Sequence, residues 1–278
     1  MDRGKARSAH TNLFGTRELA HHSRYAVIVA HPDDEVIGAG GLISRLTNVT
    51  VLHITDGVPG NGFAAKAGFE KRSDYVQVLR NESRTALELA NVSADRVIDL
   101  GIAHHQASQY LTDLTRKVAS FLQQTAPDVV LTHPFEGGHP DHDATAFVTH
   151  AALRLLQRHG FKPPAVFEIA LHPGVNGRRV LDFLPSEGSE VTTLMLDNKA
   201  RDLKRRMFDC FKTQAETLRE NPLGPERFRK PPEYDFTSPP SSSKSTYEQA
   251  NCGVNAAEWQ LLVHQAWAEL FPDNDRSH

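Results

Sequence analysis

The chain has 278 residues, 39% of them hydrophobic, and a formal net charge of only -3. That is enough apolar material to bury a core without disulfides, and too little charge to suit nucleic acid or an anionic membrane, so a small-molecule partner is expected. Two cysteines, Cys210 and Cys252, lack any metal or redox spacing, which fits a reduced, cytoplasmic setting. No apolar run reaches membrane-spanning length, and residues 1–22 read as a flexible polar segment without the apolar region of a signal peptide.

In chain order, Tyr25 to Ala30 is a short continuous apolar run, the mark of a strand covered on both faces. Further strands are predicted at Val49–Thr55, Val97–Leu100, Asp128–Thr132, Ala165–Leu171 and Val191–Leu196. Between them, Tyr75, Val78, Leu79, Ala86 and Leu89, and Leu111, Leu114, Val118, Phe121 and Leu122, fall at helical spacing. Strand alternating with helix implies an α/β fold with a parallel sheet wound by right-handed crossovers. Residues 23–272 read as one domain. Within it, 221–250 is a Pro/Ser-rich loop or lid, and a closing helix around Trp259, Leu262 and Trp267 follows. Residues 273–278 read as a frayed end.

Two clusters carry the chemistry. His31-Pro32-Asp33-Asp34-Glu35 follows the first strand directly, where wound sheets bind ligands. His31 and Asp34 can share one ion across a strand-to-helix turn, leaving Asp33 free to take a proton from activated water. The competing reading is an acidic helix N-cap. The helix behind it carries Gly38, Gly40 and Gly41; they do not make a dinucleotide-binding turn, and something packs closely there.

The second cluster, His133-Pro134-Phe135-Glu136-Gly137-Gly138-His139-Pro140-Asp141-His142, also follows a strand, and Pro140 opens a helix. One of His139 and His142 completes a two-histidine, one-carboxylate set with open positions, and the other is free to donate to an oxyanion. Asp141 is read as orienting His139. Asp56, after the second strand, faces the same crevice or forms a turn. His104, His105 and His172 read as loop histidines, and Lys199, Arg201, Lys204, Arg205 and Arg206 as a solvated helix face.

Through these two motifs the chain resembles the PIG-L/LmbE-like family of zinc-dependent N-acetylglucosaminide deacetylases. The similarity runs from about Tyr25 to Ala152 and more weakly through Gln214, Glu226 to Arg229, and Tyr247-Glu248. The resemblance implies a Rossmann-like, mostly parallel sheet between two helical layers, with no dinucleotide. By matching position it implies His31, Asp34 and His142 as ligands of Zn²⁺, or of Fe²⁺ in its place, Asp33 as general base and His139 as the residue that steadies the intermediate. Many members have an arginine three residues before the glutamate matching Glu82; here that position is Leu79, with Arg80 next to it. Arg80, Asp56 and Gln214 are the substrate-binding candidates.

The expected reaction is hydrolytic removal of an acyl group, acetyl first, from an amino sugar or its conjugate. The rival readings are an amidase for a thiol or antibiotic conjugate, an Fe²⁺ oxygenase, and a non-catalytic sugar- or metal-binding module. A free Asp33 beside the ligands favours hydrolysis over both of the last two. The sequence leaves homo-oligomerisation open.

Overall fold

The computed structural model of the chain describes residues 23–60, 62–173, 181–183, 190–238 and 254–272. The expectations for 1–22, for 273–278, for 239–250 of the lid and for Tyr247-Glu248 lie outside these residues.

Every residue of Tyr25–Val29 (β1) is buried, because helices cover both faces of the sheet. Alternation still sorts the side chains: Tyr25, Val27 and Val29 enter one core, Ala26 and Ile28 the other. Val49–Thr55 (β2) and Val97–Ile102 (β3) extend the sheet on one side of β1, and Val129–Thr132 (β4) and Ala165–Ile169 (β5) on the other, all parallel. The order β3-β2-β1-β4-β5 therefore reverses at β1. This opens a crevice beyond the carboxyl ends of β1 and β4.

Among the described residues, the α-helices in chain order are Asp34–Ile43 (α1), Phe63–Lys66 (α2), Arg72–Glu88 (α3), Leu111–Thr125 (α4), Pro140–Arg158 (α5), Asn198–Phe208 (α6), Ala215–Arg219 (α7) and Ala256–Leu270 (α8). Helices α1, α3 and α6 supply one core, while α4, α5 and α8 supply the other. The result is the three-layer α/β arrangement. The predicted closing helix is α8, started by a capping box between Asn255 and Glu258 and anchored by buried Trp259.

Two of the three glycines in α1 are there for close approach. A Cβ on Gly38 would stand 2.2 Å from Ile169 Cγ2, and one on Gly41 would stand 2.5 Å from Leu196 Cδ2. At Gly40 the nearest atom would be 3.5 Å away, an ordinary contact.

One element departs from the sequence reading. Glu226–Arg229 (β9), inside the expected loop or lid, is a strand, antiparallel to β5 on one side and to Val191–Leu194 (β8) on the other. Three of its four side chains are charged, which hides the strand pattern, and each charge is met by a partner. Glu226 pairs with Lys204 at 2.8 Å, Arg227 with Asp182, and Arg229 with Glu168 at 2.7 Å. Lys204 thereby corrects the expected solvated face. Its neighbours Lys199, Arg201, Arg205 and Arg206 are exposed, but Lys204 is buried and donates to the Ile37 carbonyl and to Glu226. Glu226 in turn accepts from the Gly41 and Leu42 amides, fastening α1 to the sheet extension. His172, expected in a loop, lies in a two-residue strand, His172–Pro173 (β6), paired with Leu181–Asp182 (β7).

Candidate metal centre and active site

The turn from β1 into α1 and the start of α5 bring three donor atoms together. His31 Nδ1 lies 3.1 Å from Asp34 Oδ2 and 3.4 Å from His142 Nε2, and His142 Nε2 lies 3.5 Å from Asp34 Oδ2. Donors placed tetrahedrally around an ion at roughly 2.0–2.1 Å stand about 3.3–3.4 Å apart. The three atoms already have that spacing, and their nitrogen and oxygen chemistry is that of a two-histidine, one-carboxylate site, so the residues fit a divalent ion. Burial works against charge on Asp34, yet the neighbouring His142 and His31 hold its carboxyl well below the usual range.

His31, His104, His139 and Asp141 also converge, with one ligand atom each within 4.8 Å of the others. Their hydrogen bonds give this set a different character. The Asp141 carboxylate already accepts from the His105 amide at 2.7 Å and the Ala107 amide at 3.1 Å, and lies 3.1 Å from His31 Nε2. His139 Nδ1 accepts from the Asp141 amide at 3.1 Å, which leaves the proton of the neutral ring on Nε2. Burial and the neighbouring His31 and His142 keep that ring neutral. Asp141 and His139 Nδ1 are thus spent on internal bonds, which leaves His139 Nε2 as a hydrogen-bond donor toward the crevice, while His104 Nδ1 is buried without a partner among the described residues. Asp141 serves two partners. From the first turn of α5 the carboxylate reaches inward to the His31 ring, and only its backbone amide touches His139.

Asp33 occupies the N-cap position of α1, but its side chain makes no capping bond. The capping alternative therefore does not account for it. It is buried beside the ligands, and burial, then the charge of Asp34, raises its carboxyl to about 7. Glu35 turns the other way, into the protein, where Ser83 Oγ donates to it at 3.2 Å and His53 Nε2 lies 3.2 Å away. His53 donates from Nδ1 to Asp99 at 3.0 Å, and Arg84 donates to the same carboxylate at 2.6 Å. Burial alone would lower His53, but Glu35 and Asp99 overcome it and raise the imidazole to about 9.

Not every predicted residue joins the cluster. Asp56 reaches the crevice floor but is consumed there. Arg72 donates to both its oxygens at 2.6 and 2.7 Å, and the Val58 and His104 amides donate as well. Arg80 lies 3.7 Å from Asp99, the carboxylate that accepts from His53. Gln214 starts α7 as its N-cap; the adjacent Thr213 is tied to Glu82, and Tyr75 donates to the Thr213 carbonyl. Sequence reasoning gave no part to His133, His53 or Arg72. The signal for His133 was its place directly after β4, the same placement that singled out His31.

The family model described as PIG-L: GlcNAc-PI de-N-acetylase matches residues 26–153, which include both clusters. The diacetylchitobiose deacetylase of Thermococcus kodakarensis is 31% identical over 129 residues, 44% of this chain and 45% of that one. A probable N-acetyl-alpha-D-glucosaminyl L-malate deacetylase 2 of Bacillus cereus is 29% identical over 139 residues, 48% of this chain and 60% of that one. The chain thus spans about half the length of these curated relatives. The crystal structure of the A40926 pseudoaglycone deacetylase Dbv21 shares the fold, with a TM-score of 0.58 and 20% identity over 75% of this chain and 96% of that one. Among the described residues, no helix is long and apolar enough to cross a membrane.

Proposed function

We propose that this chain, whose residues 26–153 match the PIG-L family model, is a metal-dependent hydrolase that removes an acetyl group from the nitrogen of an amino sugar or amino-sugar conjugate. The observation that carries the reading is the mutual spacing of His31 Nδ1, Asp34 Oδ2 and His142 Nε2 at 3.1 to 3.5 Å. The amino-sugar deacetylases among its relatives support the substrate class. His31, Asp34 and His142 would hold Zn²⁺, with Fe²⁺ the alternative for the same donors. When bound, such an ion supplies Lewis acidity that polarises an acyl carbonyl and makes hydroxide accessible near neutral pH.

The residues around it do the rest. Asp33 has no capping bond and is buried beside the proposed ligands, so its carboxylate is free to take the proton of the attacking water and return it to the departing amine nitrogen. His139, with its proton fixed on Nε2 by the Asp141 amide, donates to the oxygen that gains charge as the acyl carbon becomes tetrahedral. Asp141 holds the His31 ring from behind.

The test is amine release from a panel of N-acetylated amino sugars by metal-loaded protein, run without oxygen. Asp33→Asn is expected to lower kcat by roughly 10²–10⁴-fold while metal content stays unchanged. His142→Ala is expected to lose the metal. Full metal loading with no amine released from any sugar would remove the substrate class, and undiminished turnover by Asp33→Asn would remove Asp33 as base.

A further inference from the structure

His133 is fully buried at the end of β4, and it touches Asp34 and His142 of the three-residue centre, and the residue before His31, without belonging to it. Its Nε2 accepts from the Ala30 amide at 2.8 Å, a bond spanning 103 positions of sequence. Ala30 is the residue between β1 and His31, so this bond fastens the carboxyl ends of the two central strands where His31 leaves one of them. Accepting at Nε2 fixes the tautomer: the neutral ring carries its proton on Nδ1. His133 Nε2 lies 3.4 Å from Asp34 Oδ2. Its lone pair is already committed to Ala30, so His133 neither donates to that carboxylate nor competes for a cation. Its ring also lies flat against His142, with centroids 4.0 Å apart and planes 18° apart.

We infer that His133 is a positioning residue that sets the metal affinity of the centre: its ring face fixes the rotation of His142, and its Nε2 fixes where His31 leaves β1. The inference rests on the metal-centre reading above. His142 is the most exposed of the three proposed ligands, with 23% of its side chain accessible, against 11% for His31 and 7% for Asp34. It is therefore the ligand with the most freedom to turn, and the stacked ring of His133 removes that freedom before an ion arrives. Partners behind metal ligands that do this are worth roughly 10–100-fold in affinity.

Two variants separate the two contacts. His133→Phe keeps a flat ring against His142 but loses the acceptor for Ala30, and His133→Gln keeps an acceptor but loses the ring. Both are loaded with Zn²⁺ in competition with a chromophoric chelator, and with Co²⁺ to record the ligand-field spectrum. His150→Phe, a change at a histidine of α5 outside the centre, controls for general loosening. The expectation is a roughly 10-fold or greater loss of Zn²⁺ affinity in each His133 variant, with shifted Co²⁺ bands in His133→Gln and neither change in His150→Phe. Wild-type affinity and an unaltered spectrum in a folded His133 variant would overturn the inference while leaving the metal centre standing. Wild-type protein that takes up neither ion would overturn the metal-centre reading itself.

Discussion

A carboxylate behind a metal-binding imidazole fixes the ring's orientation and raises its basicity. On the proposed assignment Asp141 stands in that relation to His31, 3.1 Å from Nε2, while the opposite nitrogen faces Asp34. Asp141→Asn keeps the shape but removes the charge. It is expected to weaken metal binding by roughly 10–100-fold, read by chelator competition; unchanged affinity would mean that other contacts set the ring. The residues legible in the sequence are those whose chemistry is local. His31, Asp33 and Asp34 are consecutive or nearly so at one strand end, and His139 to His142 open one helix. The roles of His133 and His53 were illegible, though the place of His133 was not, because their partners are the Ala30 amide and Glu35, which only the fold brings near. The Asp99 partner of Arg80 was hidden for the same reason.

For an element, the same substitution can have either sign depending on what the helix faces. Ala in place of Gly in a helix interior gains about 1 kcal/mol from backbone entropy. At position 40 that gain is open, since a new methyl would meet nothing closer than 3.5 Å. At position 38 it would sit 2.2 Å from Ile169 Cγ2, and overpacking of this kind costs about 1–3 kcal/mol. Gly40→Ala is therefore expected to raise the thermal midpoint and Gly38→Ala to lower it. Equal shifts in both would show that α1 does not press on β5. The close approach was foreseeable from three glycines in an amphipathic stretch, although which glycines needed it was not. Strand β9 was not foreseeable at all: a charged strand is stable only because Lys204, Asp182 and Glu168 come from elsewhere to meet it.

Across the whole molecule, buried histidines set the pH range of the metal-free fold. His53 is raised from 6.5 to about 9 by Glu35 and Asp99 against the effect of burial. Its contribution is complete below about 6.5 and is lost as pH climbs through 9. His150 is the opposite case. Burial lowers it from 6.5 to about 4, with Nε2 enclosed and unpartnered among the described residues. Its contribution is complete above 6.5 and is lost as pH falls toward 4. His133, also lowered to about 4, acts in the same sense. Each group sets a slope of roughly 1.4 kcal/mol per pH unit. Urea midpoints are thus expected to peak near pH 6.5, with an acid limb that flattens in His150→Phe and an alkaline limb that flattens in His53→Gln. Limbs unchanged by these substitutions would assign the pH dependence to other groups.

The layered α/β plan was legible at this scale because apolar runs alternating with helical stripes leave few other ways to bury both. The strand order was not, since β1 pairs with β4 across about a hundred residues of chain.

That pairing also has a consequence in time. His31 and His142 are 111 positions apart, so during synthesis the first of the proposed ligands leave the ribosome long before the last. A growing chain presents His31 and Asp34 as an incomplete chelate until β4 has slid in beside β1. On the proposed assignment the complete coordination set is thus a late product of folding, and an ion that arrives early would meet a site with one corner missing.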